Sequence, residues 1–179
     1  MAKSLVLFLF ACTTAFAQHE FTVYELLGPE THKFAIIYDV MLSTEGAAFY
    51  LNPIRKGSKA TDEHVIDLAT GKELKFEIVN GEALKVYFAQ PIPKLGVARF
   101  RIYKTYEDAA SYSAQGDKIV FDRPLGVRRN VVVLPAGYEL IGASVPSIVS
   151  TQPDGRMRVS MLNDRDDQLP VKLTGRKLP

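Results

Sequence analysis

Hydrophobic and polar residues alternate along most of this chain, and that period of two is typical of β-strands that bury one face. The run 73–79 alternates charged with apolar residues, and the run 84–88 has the same apolar spacing after Asn80-Gly81. Because Asn and Gly both tolerate the positive φ of a tight turn, these two runs predict a β-hairpin. We expect its apolar face to pack on a core and its charged face to meet water.

The same period recurs in four further segments, which are separated by turn-forming Gly, Pro and Asn residues. Their apolar positions are Phe34, Ile36, Tyr38, Val40 and Leu42, then Phe100 and Ile102, then Met157, Val159 and Met161, and finally Val171 and Leu173. No long stretch keeps the period of a helix, and only 106–115 is a candidate for a single helical turn. The pattern therefore predicts an all-β fold, an immunoglobulin-like antiparallel β-sandwich.

Residues 1–17 have the features of a secretory signal peptide. Lys3 gives a positive start, an apolar run occupies 5–11, and Ala15-Phe16-Ala17 offers small residues to a signal peptidase. We expect cleavage before Gln18 and export to the periplasm or the medium. The remaining 18–179 is expected to form one sandwich domain.

A short segment of small and polar residues, 109–116, marks a weak seam within that sandwich. A unit of about 60 residues without disulfides is marginal by itself. Because neither part is expected to be stable alone, we expect one continuous sandwich across the seam. The sequence leaves open whether that sandwich holds one core or two sub-cores.

Cys12 is the only cysteine, and it lies inside the leader. The run 9–12 is similar to a lipoprotein box, but Phe10 is bulky where that box prefers a small or β-branched residue. We therefore favour cleavage before Gln18 over a lipid anchor at Cys12. A chain cleaved there has no thiol for disulfides or nucleophilic catalysis. No later apolar run approaches the roughly 20 residues of a membrane-spanning helix.

Charge and motif content restrict the classes of function. The 22 basic and 20 acidic residues nearly balance, so the sequence predicts no surface for nucleic acid. His19, His32 and His64 are dispersed, and neither a His-Glu-x-x-His helix nor a Gly-x-Ser-x-Gly elbow occurs. We expect no enzymatic activity, no metal and no cofactor. Asp39 interrupts an apolar run and is expected to face solvent or pair with an arginine; the alternative is a buried acid.

The most distinctive polar segment contains Arg123, Arg128 and Arg129 beside a turn. Arginine binds carboxylate or phosphate through two parallel hydrogen bonds, so this segment is a candidate anion-binding or partner-docking loop. The alternative is that these arginines pair with local acids such as Asp122 and fix the loop between the sheets.

Three tyrosines, Tyr103, Tyr106 and Tyr112, form a second candidate contact site. Aromatic side chains on an exposed strand are typical of interface hot spots, although core packing is an equally ordinary use. A carbohydrate site is less favoured, because the chain contains no tryptophan. A small-molecule pocket between the sheets is a third possibility. A core completely filled by phenylalanines would leave no room for it.

The segment 18–27 is an extended arm in which Phe21 and Val23 alternate with Thr22 and Tyr24. Such an arm pairs with its own sheet or adds to the edge of a neighbour's sheet. The second arrangement makes Phe21 and Val23 candidate self-association residues.

The order of three motifs resembles a known family. Gly28-Pro29-Glu30-Thr31-His32-Lys33-Phe34 leads into a long strand, Gly71-Lys72-Glu73-Leu74 forms a turn, and a strand carries Val97 to Tyr103. These motifs resemble the N-terminal β-domain of exported glycyl-aminopeptidase-like zinc metallopeptidases over about 20–106. Those enzymes carry their His-Glu-x-x-His zinc site in a later helical domain. The resemblance therefore implies a fold and a role in interaction or positioning, with no catalytic residue.

These observations support two functional hypotheses. The first is a secreted, non-enzymatic structural or interaction protein that self-associates through strand or edge pairing. The second is an accessory binding module of an exported peptidase-like or cell-surface system, in which Arg128-Arg129 and the three tyrosines contact the partner. Both predict a protein partner or a second copy of the chain.

Overall fold

The structure is a computed structural model that describes residues 20–179. The predicted signal peptide, Cys12, Gln18 and His19 lie outside the described residues. The described part contains 14 strands and a short 3-10 helix at Pro29–Thr31. The strands are β1 (Phe21–Leu26), β2 (Lys33–Leu42), β3 (Phe49–Pro53), β4 (Lys59–Asp67), β5 (Phe76–Val79), β6 (Ala83–Tyr87), β7 (Ala98–Glu107), β8 (Tyr112–Gln115), β9 (Lys118–Leu125), β10 (Arg129–Val133), β11 (Tyr138–Ala143), β12 (Ile148–Thr151), β13 (Met157–Leu162) and β14 (Leu169–Lys177).

The strands form three sheets. The large sheet has seven strands in the order β12-β13-β10-β1-β2-β7-β4. A four-stranded sheet has the order β11-β14-β9-β8, and a three-stranded sheet has the order β3-β6-β5. This arrangement confirms the predicted all-β sandwich. One pairing departs from the antiparallel expectation, because β1 and β10 are parallel. The hairpin partner β2 occupies one edge of β1, and the other edge is filled only when the chain returns as β10.

Both smaller sheets cover the same face of the large sheet, which we call the inner face. Phe34 of β2 meets Phe121 of the four-stranded sheet with ring centres 5.6 Å apart. Phe100 of β7 meets Tyr50 of the three-stranded sheet at 5.2 Å. One cluster of buried residues therefore contains members of all three sheets. The core is continuous across the two smaller sheets rather than split between them.

The predicted apolar stripes occupy this inner face. Phe34, Ile36, Tyr38 and Val40 of β2 are all buried. Val40 is paired with Phe100 in the register of β2 and β7, so the two stripes share one face. Val159, Met161, Val171 and Leu173 are buried as well.

The predicted hairpin is also present. β5 pairs with β6 from Phe76 to Val79, and both turn residues have positive φ, 53° at Asn80 and 69° at Gly81. Leu84 on β6 is buried. Ile78 on β5 is 42% exposed, because β5 is an edge strand of its sheet.

The candidate helical turn at 106–115 is instead the end of β7, a turn and β8. Tyr106 and Tyr112 both enter the core from this segment. Strand pairing of β7 with β2 and of β8 with β9 satisfies much of its backbone. The predicted seam at 109–116 stays a prediction.

The N-terminal arm belongs to the chain's own sheet. β1 lies between β2 and β10 and is hydrogen-bonded to both. Thr22 and Tyr24 point to the inner face, whereas Phe21 and Val23 point to the opposite face, which we call the outer face. Residues 20–179 include no helix with the length and apolar character needed to cross a membrane.

Candidate functional sites: an outer groove and a cationic cleft

An apolar patch lies on the outer face of the large sheet. Val23 of β1 and Val131 and Val133 of β10 form a small buried cluster there, with Phe21 and Ile37 packed against it. These side chains pack beside one another because β1 is paired on one side with β10 and on the other with β2. The outer face therefore carries apolar surface as well as charge.

A groove of about 480 Å³ runs from this patch towards the β12 edge, and we call it the outer groove. Phe21, Arg129, Ile148 and Leu162 line it. Ile148 is 74% exposed and Leu162 is 62% exposed. Arg129 lies opposite Leu162 in the register of β10 and β13. Large apolar side chains and two arginines, Arg129 and Arg158, thus share one open surface, a combination typical of interfaces.

The predicted arm residues and Arg129 meet on this face. Phe21 and Arg129 are paired in the parallel register, and both line the outer groove. Val23 lies beside them in the buried cluster. Arg128, in the preceding loop, is exposed. The sequence placed these residues in two separate candidate sites, and only the parallel pairing of β1 with β10 brings them together.

Asp39 forms an ion pair further along the outer face. Both of its carboxylate oxygens accept hydrogen bonds from Arg101, at 2.5 Å from Nε and 2.8 Å from Nη2. The expectation that Asp39 pairs with an arginine is confirmed. The hydrogen bonds to Asp39, and a further one to Tyr103, raise the pKa of Arg101 above its ordinary value.

The three predicted tyrosines do not form one site. Tyr103 lies on the outer face beside His64, with ring centres 5.8 Å apart. Tyr106 and Tyr112 are buried on the core side, and the Tyr112 hydroxyl donates to the carbonyl of Leu27 at 2.8 Å. Burial of these two side chains fits the core-packing interpretation. Tyr103 and Tyr106 are three positions apart on one strand, and an odd spacing places side chains on opposite faces.

Arg123 lies inside the fold rather than in an exposed loop. Its Nη1 is 3.1 Å from Oδ2 of Asp108 and donates to Oγ of Ser111 at 3.2 Å. The expected ion pair therefore exists, but with Asp108 rather than with Asp122. Asp122 instead lies 3.4 Å from the ammonium of Lys172 at the surface.

Asp108 is held as a carboxylate by a dense set of donors. Ser111 donates through its backbone N–H at 3.0 Å and its hydroxyl at 2.7 Å, and Ser58 donates at 2.8 Å. Burial raises the pKa of Asp108, but these hydrogen bonds and the charge of Arg123 outweigh it, so the pKa lies below its usual range.

A cleft of about 500 Å³ lies where the two smaller sheets meet over the inner face, and we call it the cationic cleft. β1, β2 and β7 supply its floor, while Asn52 of β3 and Arg123 of β9 stand on either side. Three cations line it: Arg55, Lys104 and Arg123. Lys104 and Arg123 are each only 7% exposed.

The direct contacts of the Lys104 ammonium are with neutral side chains. Its ammonium donates to Oδ1 of Asn52 and lies 4.9 Å from the centre of the Tyr106 ring. Within residues 20–179, no carboxylate oxygen is within 4 Å of this ammonium. Burial, reinforced by the charge of Arg123 and partly opposed by that of Glu63, lowers the pKa of Lys104 to about 8.

Sequence reasoning did not single out Lys104, although a signal was present. Phe100, Ile102, Lys104 and Tyr106 occupy alternate positions of β7. A lysine within an otherwise apolar stripe is directed into the core, where a lysine is almost never fully buried without a partner.

The described histidines do not form a metal site. His32 lies with Nδ1 3.1 Å from the carbonyl of Tyr112, and His64 lies 3.8 Å from the carboxylate of Glu73. Across residues 20–179, no group of three or more His, Cys, Asp or Glu side chains is placed to hold a metal ion.

Comparison with known proteins gives a fold but no sequence family. No family model matches the chain, and no curated protein matches it. A two-domain M1 zinc metallopeptidase bound to L-tryptophan is similar in structure, with a TM-score of 0.60 at 12% identity, over 89% of this chain and 42% of that chain. The fold is that of part of an M1 zinc metallopeptidase. The resemblance inferred from the sequence is thereby confirmed at the level of the fold.

Two further structures support the same fold. An M1 zinc metallopeptidase from Deinococcus radiodurans has a TM-score of 0.60 at 12% identity, over 89% of this chain and 41% of its own. An aminopeptidase N family protein from Idiomarina loihiensis has a TM-score of 0.55 at 10% identity, over 88% of this chain and 29% of its own. The chain thus spans less than half the length of these structures.

Proposed function

We propose that this protein is an exported, non-catalytic interaction module that self-associates through the β12 edge and the outer groove. The observation that carries this proposal is the exposure of β12. All four of its residues, Ile148–Thr151, are exposed, and β12 ends the large sheet. Its sequence contains no charge and no proline, which are the usual protections of an edge strand.

The opposite edge of the same sheet is protected. β4 carries Lys59, Asp62, Glu63 and Asp67 within nine residues. Its pairing with β7 also shifts register between Thr61 and His64. Charges and irregular pairing hinder the addition of another strand. The β4 edge thus carries charges and an irregular register, whereas the β12 edge has neither a charge nor a proline. We therefore propose β12 as the edge that pairs.

A second copy of the chain is the partner that fits this edge. Two β12 strands related by a two-fold axis run antiparallel and offer each other the same unpaired backbone groups. Ile148 and Leu162 lie on the same outer face, beside the groove. Burial of such a side chain contributes about 1.5–3 kcal/mol. The two Ile148 side chains of a dimer meet across the new strand pair, and they contribute towards the cost of association together with the new backbone hydrogen bonds.

Export and the absence of catalysis belong to the same proposal. The leader at 1–17 supports export. A sequence without the zinc-binding helix motif or a nucleophile elbow, on a fold that corresponds to part of a larger peptidase, supports a non-catalytic role. The residues proposed to act are therefore contact residues.

The second candidate is an accessory module of an exported peptidase. The observation that favours it is the coverage: the fold matches 42% of a two-domain M1 metallopeptidase. The partner is then a catalytic peptidase chain, and it binds the same outer groove. Titration with such a peptidase separates the candidates, because accessory docking is saturable by the peptidase and self-association depends only on the protein's own concentration.

Sedimentation velocity tests the leading candidate. The double variant I148K/L162K places charges on the outer groove, and L95K places a charge at Leu95, an apolar residue that is 91% exposed outside the groove. We expect the wild type and L95K to form dimers at high micromolar concentration and I148K/L162K to remain monomeric. A monomeric wild type over the whole concentration range, or a dimeric I148K/L162K, would contradict the proposal.

A further inference from the structure

Three cations line the cationic cleft, and the carboxylates that act on its lining are Asp108 beside Arg123, Glu63 on Lys104 and Glu20 on Tyr38. Asp108 compensates Arg123. Among the described residues, no carboxylate oxygen comes within 4 Å of the side-chain nitrogens of Arg55 or Lys104. Arg55 is half-buried at the side of the cleft, and Lys104 is buried at its floor. Burial of a charge without a counter-ion is costly, so this arrangement favours the binding of an anion from outside.

The cleft is accessible to such an anion. Exposed residues of separate segments, Pro53, Gly126 and Gln168, contribute to its lining. The floor is formed by buried side chains of the large sheet. A molecule entering past these exposed residues therefore reaches the buried cations without displacement of a strand.

A second polar group faces the same space. Thr22 lines the cleft and is 2% exposed. Its Oγ1 is buried and has no hydrogen-bond partner. Buried hydroxyls in proteins are normally hydrogen-bonded, because an unpaired one loses its contacts with water. Asn130, which is paired with Thr22 in the register of β1 and β10, carries a second buried oxygen without a partner. The two unpaired side chains are therefore neighbours below the floor of the cleft.

The remaining walls are aromatic and aliphatic. Tyr24, Tyr38 and Tyr106 line the cleft together with Ile36 and Val127. Sites for small molecules are typically cavities of about 300–1,000 Å³ with mostly apolar walls and a few polar groups that fix orientation. The cationic cleft, at about 500 Å³, has this composition.

We propose that the cationic cleft binds a small organic carboxylate with an aromatic or short apolar body. The carboxylate contacts Lys104 at the floor of the cleft and Arg123 at its side. The apolar body packs against the tyrosines and Val127. This site lies on the inner face and is separate from the outer groove, so it does not depend on self-association.

Isothermal titration calorimetry with 3-phenylpropionate tests the proposal. The neutral isostere 3-phenylpropanol measures the contribution of the charge, and phenyl phosphate tests whether a phosphate is preferred. We expect the carboxylate to bind at least about tenfold more tightly than the alcohol. Binding should weaken as the pH rises through about 8, where Lys104 loses its proton, because 3-phenylpropionate stays ionised throughout.

Three variants locate the site. K104M removes the buried ammonium, V127F fills the cleft without a change of charge, and K85M is the control, because Lys85 lies outside the cleft. We expect K104M and V127F to weaken 3-phenylpropionate binding at least about tenfold and K85M to bind as the wild type does. V127F keeps the test decisive if K104M fails to fold.

Each contrary result is informative. No detectable binding of 3-phenylpropionate, or equal affinity for the alcohol, would overturn the proposal. Wild-type binding in both K104M and V127F would show that the ligand sits elsewhere. Binding of phenyl phosphate alone would overturn the choice of a carboxylate. The same titration on I148K/L162K, which is expected to be monomeric, separates failure of this site from failure of self-association.

Discussion

Replacement of Lys104 by methionine is expected to stabilise the protein at neutral pH. Lys104 is 7% exposed at the floor of the cationic cleft, with Asn52 as its hydrogen-bond acceptor and the Tyr106 ring beside it. Methionine is similar in length, flexible and uncharged, so it fills the same space without an ammonium to desolvate. Removal of a buried polar residue ordinarily destabilises a core. An increase in stability would therefore be opposite to the ordinary result and would support the reasoning.

The magnitude follows from the pKa. Burial lowers the pKa of Lys104 from 10.5 to about 8, which corresponds to roughly 3 kcal/mol at about 1.4 kcal/mol per unit. Methionine leaves the carbonyl oxygen of the Asn52 side chain without its donor, at a cost of about 1–3 kcal/mol. The net gain at neutral pH is therefore at most about 2 kcal/mol, or a rise in Tm of up to about 8 °C for a domain of this size.

The pH dependence identifies the cause. The folded-state pKa of Lys104 lies below its unfolded value, so the cost of the charge is present in full below about pH 8 and disappears as the pH rises to 10.5. The stability advantage of K104M over the wild type should shrink across that window. The buried tyrosines titrate alike in both proteins. Their contribution is therefore removed when the free energy of unfolding of the wild type is subtracted from that of K104M.

Urea unfolding of the wild type, K104M and K85M, followed by circular dichroism at several pH values, measures this difference. Lys85 is a partly buried lysine of the three-stranded sheet, outside the cationic cleft. A K104M protein that is less stable than the wild type at neutral pH would refute the reasoning. An advantage independent of pH would also refute it, as would the same pH profile in K85M.

Three further predictions follow from the core and the leader. D108A should lower the free energy of unfolding by about 3–5 kcal/mol, because it leaves Arg123 buried without its counter-ion. Removal of the exposed Asp122 should change that free energy by less than about 1 kcal/mol. Urea unfolding compares the two variants. F34A should cost about 3–5 kcal/mol in the same assay, as expected for an aromatic side chain at the centre of a core. Intact mass of the exported protein should correspond to a chain that begins at Gln18, and an acylated mass that begins at Cys12 would contradict this.

The local architecture was predictable from the sequence because alternation encodes it directly. The stripe on β2 and the hairpin around Asn80-Gly81 depend only on which neighbours are apolar and which residues tolerate positive φ. The same parity argument separates Tyr103 from Tyr106 and places Lys104 in the core. The tyrosines were grouped by their proximity in sequence, but neighbouring residues of a strand point in opposite directions.

The long-range architecture was not predictable from one sequence. The parallel pairing of β1 with β10 joins segments about a hundred residues apart, and no local pattern specifies it. That pairing creates the outer groove by placing Phe21 beside Arg129. The ion pair of Arg123 with Asp108 and the meeting of two small sheets on one face are likewise consequences of tertiary packing. Both candidate sites therefore became visible only in the structure.

Hydrogen exchange of the purified protein at low and high micromolar concentration tests self-association through β12 most directly. If β12 pairs with its counterpart in a second copy, amides of Ile148–Thr151 that face outward from the sheet gain a partner. We predict slower exchange in peptides that cover β12 at high concentration, with no change in peptides that cover β4. Exchange at β12 that is the same at both concentrations, or protection that appears at β4 instead, would contradict the account.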